Sequence, residues 1–137
     1  LHDDLLWHDM FHHVVSASPY ETQYGFSRAV RIHERTWVAG TAPIDGDDVP
    51  ESAREQMLLC GHIIADALEE ADASIDDVVR TRMYIVDRAD ADEIGKAHKE
   101  IFAEAMPAAT MVVVAGLLDP RWKVEVEAEA DSTPRLH

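Results

Sequence analysis

PAATMVVVAGLLDPRWKVEVEAEA, residues 107–130, decides the fold of this chain. Its tail alternates strictly: Val124, Val126 and Ala128 share one side, and Glu125, Glu127 and Glu129 share the other. A period of two is that of a β-strand with one apolar face. Three carboxylates on one face repel unless cations or a solvent-filled cleft oppose them. The strand expected at 78–86, VVRTRMYIV, sets Arg80 and Arg82 on one face and offers those cations.

Working outward, the sequence predicts strands at 11–17, 27–32, 36–40, 78–86, 110–117 and 122–130. The polar link His33, Glu34, Arg35 joins the second and third as a hairpin. SPYETQYGF, before them, is turn-prone. Two helices interrupt the strands. Ser52 and Glu55 have the spacing of a capping box, and Ala53, Met57, Cys60, Ile64, Ala67, Leu68 and Ala71 recur at helical intervals. Gly61, in that helix, predicts a close helix–sheet contact, because glycine costs about 1 kcal/mol there relative to alanine. The second helix opens on Asp90 and Glu93, again at capping spacing, with Ile94, Ala97, Ile101, Phe102 and Ala105 as its buried stripe. The order predicts an α+β domain: a six-stranded, mostly antiparallel sheet with two helices packed on one face. The other face has no cover of its own, so a closed cyclic homo-oligomer is expected.

The 137 residues fit one domain, assigned to 11–131. Residues 1–10 are set apart as an N-terminal extension or an expression remnant, with Met10 as an alternative native start, and 132–137 as a C-terminal tail. The net charge is −15, which repels phosphate backbones and argues against nucleic-acid partners. The longest apolar run, 111–118, is too short to span a bilayer. No signal peptide is visible, and the expectation is a cytoplasmic protein with no membrane partner. Cys60 lies in the apolar run MLLCGHII with no cation beside it in sequence, and reads as a core residue rather than a nucleophile. His12 and His13 alternate across a strand and cannot chelate one ion. No HExxH motif, paired cysteines or phosphate-binding glycine loop is present, so neither a metal nor a cofactor is expected.

The block 107–130, the SPYE segment and the hairpin ending VAGTAPI together resemble the Rid family, also called the YjgF/YER057c/UK114 family. The resemblance covers residues 16–130. It implies a chorismate-mutase-like fold and a homotrimer, with a small-molecule cleft at each subunit interface and no metal or cofactor. It also implies hydrolysis of reactive enamines and imines, such as 2-aminoacrylate and 2-iminobutyrate, to keto acids and ammonia. Carried over residue by residue, Tyr20 matches the site tyrosine, Gly40 the cleft glycine, and Glu125 the glutamate that positions water. Ala109 stands where deaminating members have an arginine that clamps the substrate carboxylate. Met111 replaces a common cysteine, and Gly95 a common asparagine.

The residues alone leave alternatives open. Glu125 is either the water-positioning group or one more rung of the ladder, paired with Arg80 or Arg82. Tyr20 is either a cleft wall or a packing aromatic. His98 is either a cleft group or a satisfied, partly buried histidine. Arg121, nearest in sequence to the last strand, is the first candidate to replace the missing clamp, followed by Arg28, Arg31, Arg80 and Arg82. The favoured function is a Rid-like hydrolase or deaminase acting on a small imine, enamine or related electrophile without the usual carboxylate. The alternatives are a non-catalytic trimer that binds a small ligand or a protein, and, less favoured on charge, a ribonuclease or translation inhibitor.

Overall fold

The computed structural model describes residues 11–135; the readings for 1–10 lie outside them. Six strands form one sheet: β1 (Phe11–Val14), β2 (Ala29–Ile32), β3 (Arg35–Thr41), β4 (Val78–Ile85), β5 (Ala108–Val113) and β6 (Val124–Asp131). Three helices join them: α1 (Pro19–Tyr24), α2 (Ala53–Glu70) and α3 (Ala91–Phe102). The strand order is β1-β2-β3-β6-β4-β5. Every pairing is antiparallel except β4 with β5, which are parallel and joined by the α3 crossover.

The period-two reading of β6 fixes the layers. Val124, Val126, Ala128 and Ala130 are buried, as are Thr81, Met83 and Ile85 of β4. They face Met57, Cys60, Ile64 and Leu68 of α2 and Ile94 and Phe102 of α3, so both long helices cover one face of the sheet. The expected stripe of α2 is buried at all seven positions. The opposite face carries Val30, Trp37, Arg82, Tyr84 and the three glutamates of β6. It holds an open hollow of about 400 Å³ between Val30 and Trp37 on one side and Arg82, Glu127 and Glu129 on the other.

Four local expectations are corrected. SPYETQYGF does not form a simple turn: Ser18 caps α1, with Pro19 in its first turn and Gly25 ending it at φ 77. A left-handed φ there is why glycine follows the helix. The α3 cap is also different. Asp90 makes no side-chain cap bond, and Glu93 instead accepts from the Arg54 backbone N–H across to α2. The fifth strand begins at Ala108 and ends at Val113, short of the expected 117. Finally, Gly61 permits a helix–helix contact, not a helix–sheet one. A Cβ on Gly61 would lie 2.5 Å from Ile101 Cδ1 and 2.8 Å from Cγ1.

That contact carries a stability prediction. Gly61→Ala gains about 1 kcal/mol of helix propensity, but overpacking a closed interface costs about 1–3 kcal/mol. Three Ile101 carbons lie within 3.0 Å of the added atom, so the cost exceeds the gain. The expected result is a lower urea midpoint for Gly61→Ala and, in an Ile101→Ala background, a higher one. An unchanged sign in both backgrounds would show that Ile101 does not set the requirement.

Candidate functional site

The site grows from a defect in β3. Thr36 and Val38 point into the core, as alternation requires. Val38 pairs with Ala128 but Thr41 pairs with Val126, so β3 carries one residue more than β6 over this stretch. This bulge resets the alternation: Thr41 is buried and Gly40 turns outward. Glu125, outward on β6, meets it there. A Cβ at Gly40 would sit 2.5 Å from Glu125 Oε2. The glycine is needed for close approach of a side chain, not for a special backbone angle.

The three glutamates of β6 have different partners. Glu127 accepts the Tyr84 phenol O–H at 2.6 Å and lies 3.5 Å from Arg82 Nη1. Glu129 also lies 3.5 Å from Arg82 Nη1. Glu125 pairs in register with Tyr84, yet Tyr84 gives its proton to Glu127. Burial pushes the Glu125 carboxyl above the usual glutamate range; Arg28 opposes that shift and Glu127 adds to it. Arg80 and Arg82 were both expected to meet the ladder, and the ion pairs to Glu127 and Glu129 fall to Arg82.

Arg28, just before β2, reaches the bulge. Its Nη2 donates to the Ala39 carbonyl at 2.7 Å, the Gly40 carbonyl at 2.8 Å and Thr41 Oγ1 at 2.9 Å. Burial lowers its pKa, while Glu21, Glu125 and Cys60 raise it. Glu21, on α1, is buried and accepts from the Ser16 N–H at 3.0 Å and from the Ser16 hydroxyl. Cys60 donates from Sγ to the Thr41 carbonyl at 3.3 Å, and burial holds its thiol up at about 12. A thiol so placed stays protonated and is not a nucleophile at neutral pH.

The other sequence candidates fall elsewhere. Tyr20 sits on α1, 58% exposed, with its ring stacked on Tyr24 at 6.1 Å between centroids. The inward residue of α1 is Glu21. Ala109 and Met111 pair with Thr81 and Met83, which are core-facing, so both lie on the helix side of β5. Gly95 is on α3, also on that side. Within one chain, therefore, Ala109, Met111 and Gly95 occupy the face opposite Glu125. Arg121 is held by Asp119 at 2.7 Å and by the Asp47 carbonyl at 3.0 Å. His98 is partly buried, shares a 2.8 Å hydrogen bond with Thr81 Oγ1 and packs on Phe102; burial lowers its pKa. Sequence reasoning did not find Glu21 and did not rank Arg28 above the other arginines. Their only signal is a charged residue beside an apolar run, which is too common to select them.

Chemically, the arrangement offers a partly desolvated carboxylate beside a residue with no side chain. Such a group can hold and deprotonate a water next to a small bound molecule. A mixed six-stranded sheet with helices on one face defines a class of small α+β proteins, and here a carboxylate is set against a bulge on the other face. The family model described as Endoribonuclease L-PSP matches residues 16–132. An uncharacterized protein of Streptomyces coelicolor is 39% identical over 119 residues, spanning 85% of this chain and 89% of that one. A solved member of the YjgF/YER057c/UK114 family from Mycobacterium tuberculosis superimposes with a TM-score of 0.82 at 36% identity, over 88% of this chain and 98% of that one. The mouse 2-iminobutanoate/2-iminopropanoate deaminase is 27% identical over 113 residues, 80% of this chain and 82% of that one. The chain belongs to the YjgF/YER057c/UK114 family, the Rid family of the sequence comparison. Among the described residues, no helix is long and apolar enough to cross a membrane.

Proposed function

We propose that this protein is a cofactor-independent hydrolase of small imines or enamines, with Glu125 as the group that activates water. One observation carries the reading: Glu125 alone of the three ladder glutamates is set against a bulge glycine, while the Arg82 ion pairs and the Tyr84 phenol go to the other two. The carboxylate takes a proton from water as the oxygen attacks the C=N carbon. It returns that proton to the imine nitrogen to complete the carbinolamine, then takes the hydroxyl proton and passes it to the amine nitrogen as the C–N bond breaks, which leaves a carbonyl and ammonia. A raised pKa suits both halves of this cycle. The Gly40 backbone lines the cleft and orients the substrate, and Tyr20 forms its rim.

Ala109 shapes the substrate class. With no donor at that position, a substrate carboxylate loses a clamp whose removal costs about 2–5 kcal/mol, or roughly 30- to 4,000-fold in affinity. Arg121 is no substitute while Asp119 holds it. The natural substrate is therefore an imine or related electrophile without the 2-carboxylate. A cleft that uses both Glu125 and residue 109 must be closed by a second copy, because the two lie on opposite faces of one sheet. This supports intersubunit clefts, and the same proposal includes a homotrimer in the cytoplasm that takes a small molecule and no nucleic acid.

The test is ammonia release from 2-iminobutyrate, 2-iminopropionate and imines lacking the carboxylate, generated in situ, for wild type, Glu125→Gln and Ala109→Arg. Wild type is expected to turn over the carboxylate-free imines. Ala109→Arg is expected to raise kcat/KM on the 2-imino acids by about 30-fold or more. Silence of wild type and Ala109→Arg on every imine would overturn the hydrolase reading. It would leave a ligand-binding trimer, and a steep salt dependence of RNA binding would instead favour a nuclease.

A further inference from the structure

The bulge that carries Gly40 is stapled by a charge where a neutral donor would do. Arg28 Nη2 gathers three acceptors from residues 39–41, two carbonyls and the Thr41 hydroxyl. Thr41 Oγ1 itself donates to the Ala39 carbonyl at 2.8 Å. The guanidinium is desolvated, and its Nε–H is buried with no acceptor. Each of these features costs stability. Closing a bulge does not require a cation, so the charge calls for a separate explanation, and Glu125 supplies one.

The groups that face Glu125 come from several elements. Glu127 lies on β6 itself, Tyr84 on β4 and Arg28 just before β2, and Cys60 on α2 couples to Glu125 electrostatically from the core side. Glu127 is repulsive. Tyr84 gives its proton to Glu127, and Cys60 is a protonated thiol. Arg28 is the cation of the set. Behind it stands Glu21, anchored by Ser16 and electrostatically coupled to the guanidinium. The sequence of charges is thus carboxylate, guanidinium, carboxylate, with only the last set against Gly40.

We infer that Arg28 is a positioning residue for Glu125: anchored to residues 39–41 and backed by Glu21, it keeps Gly40 against the glutamate and supplies the positive charge that faces its carboxylate. The inference rests on the role proposed above for Glu125, and it touches no substrate atom. Removing the charge leaves burial and Glu127 unopposed, so the Glu125 carboxyl titrates at higher pH. Less of it is ionised at neutral pH, and kcat falls while KM holds.

The experiment follows the Glu125 carboxyl by carbon-detected NMR titration, assigned by its loss in Glu125→Gln, in wild type, Arg28→Gln and Arg28→Lys. The NMR readout needs no turnover, so it separates this inference from the hydrolase reading. Arg28→Gln is expected to move the Glu125 midpoint upward, and Arg28→Lys, which keeps the charge, to hold it near wild type. On a substrate that wild type accepts, kcat/KM at pH 7 should fall about tenfold or more in Arg28→Gln, with the acid limb of the pH profile moved up in step. A folded Arg28→Gln with an unmoved Glu125 midpoint would overturn the inference. If Arg28→Gln does not fold, Arg28→Lys decides: a midpoint held near wild type supports the role of the charge, and one raised despite the retained charge overturns it.

Discussion

Glu125→Gln should lower kcat on accepted imines by about 100- to 10,000-fold, the range for removing a positioned general base, and it should also make the protein more stable at neutral pH. The activity loss follows from the amide, which cannot take a proton from water yet fills the same space beside Gly40. The stability gain follows from linkage. Burial raises the folded-state pKa of Glu125 above its unfolded value. In the window between those two values the native state binds more protons than the unfolded state, so stability falls as pH rises through it. At neutral pH the ionised, half-buried carboxylate therefore works against folding, and glutamine removes that burden. The Tm of Glu125→Gln should exceed that of wild type at pH 7, and the two should converge as pH falls below the ordinary glutamate range, about 4. Equal protein concentrations are needed, because assembly makes Tm concentration-dependent. A variant that is less stable than wild type at pH 7 would mean that Glu125 is a structural partner, like Glu127 and Glu129. The same carboxylate predicts an acid limb in kcat/KM that lies above the usual glutamate range and is absent from Glu125→Gln.

Gly40→Ala is the second large effect. The added methyl would stand 2.5 Å from Glu125 Oε2 and 3.5 Å from its Cδ, so the carboxylate must swing away. Gly40 is exposed, and the nearby atoms are those of Glu125, so the backbone need not move. A displacement of about 1 Å at a catalytic group costs roughly 100-fold in rate. The expected outcome is a loss of kcat near that size with Tm within a few degrees of wild type. A large Tm loss would instead mark Gly40 as a folding requirement of the bulge. Full activity would mean that Glu125 works from another rotamer. The pairing of a large activity loss with small stability loss separates this site from Gly61, whose substitution is expected to act on stability.

The strongly periodic elements were legible in the sequence. The alternation of 124–130 and the seven-position stripe of α2 each place an apolar side against a common core, so burial follows from spacing alone. The family motifs added the identity of Glu125 and Gly40 as a pair worth examining. Other features did not follow from local pattern. The α1 segment reads as a turn because its proline and glycine are turn residues, yet they sit at the first and last positions where a short helix accepts them. Gly61 signals a close contact without naming the partner, since helix and sheet neighbours leave the same requirement.

By itself, then, the sequence determined a six-stranded α+β sheet with two long helices on one side, an acidic surface and a missing arginine at position 109. The sheet, the helices and the acidic surface follow from periodicity and composition, which are local, and the missing arginine is what the family resemblance implies. Only the tertiary structure set Glu125 against Gly40 and left Arg82 to the other two glutamates, placed Arg28 and not Arg121 near Glu125, and put residue 109 on the far face. The approach of Gly40 to Glu125 depends on one extra residue in β3, and the place of residue 109 on the register of β5 against β4. The bulge shifts alternation by one position, and no local property of VAGT announces where a neighbouring strand will impose it.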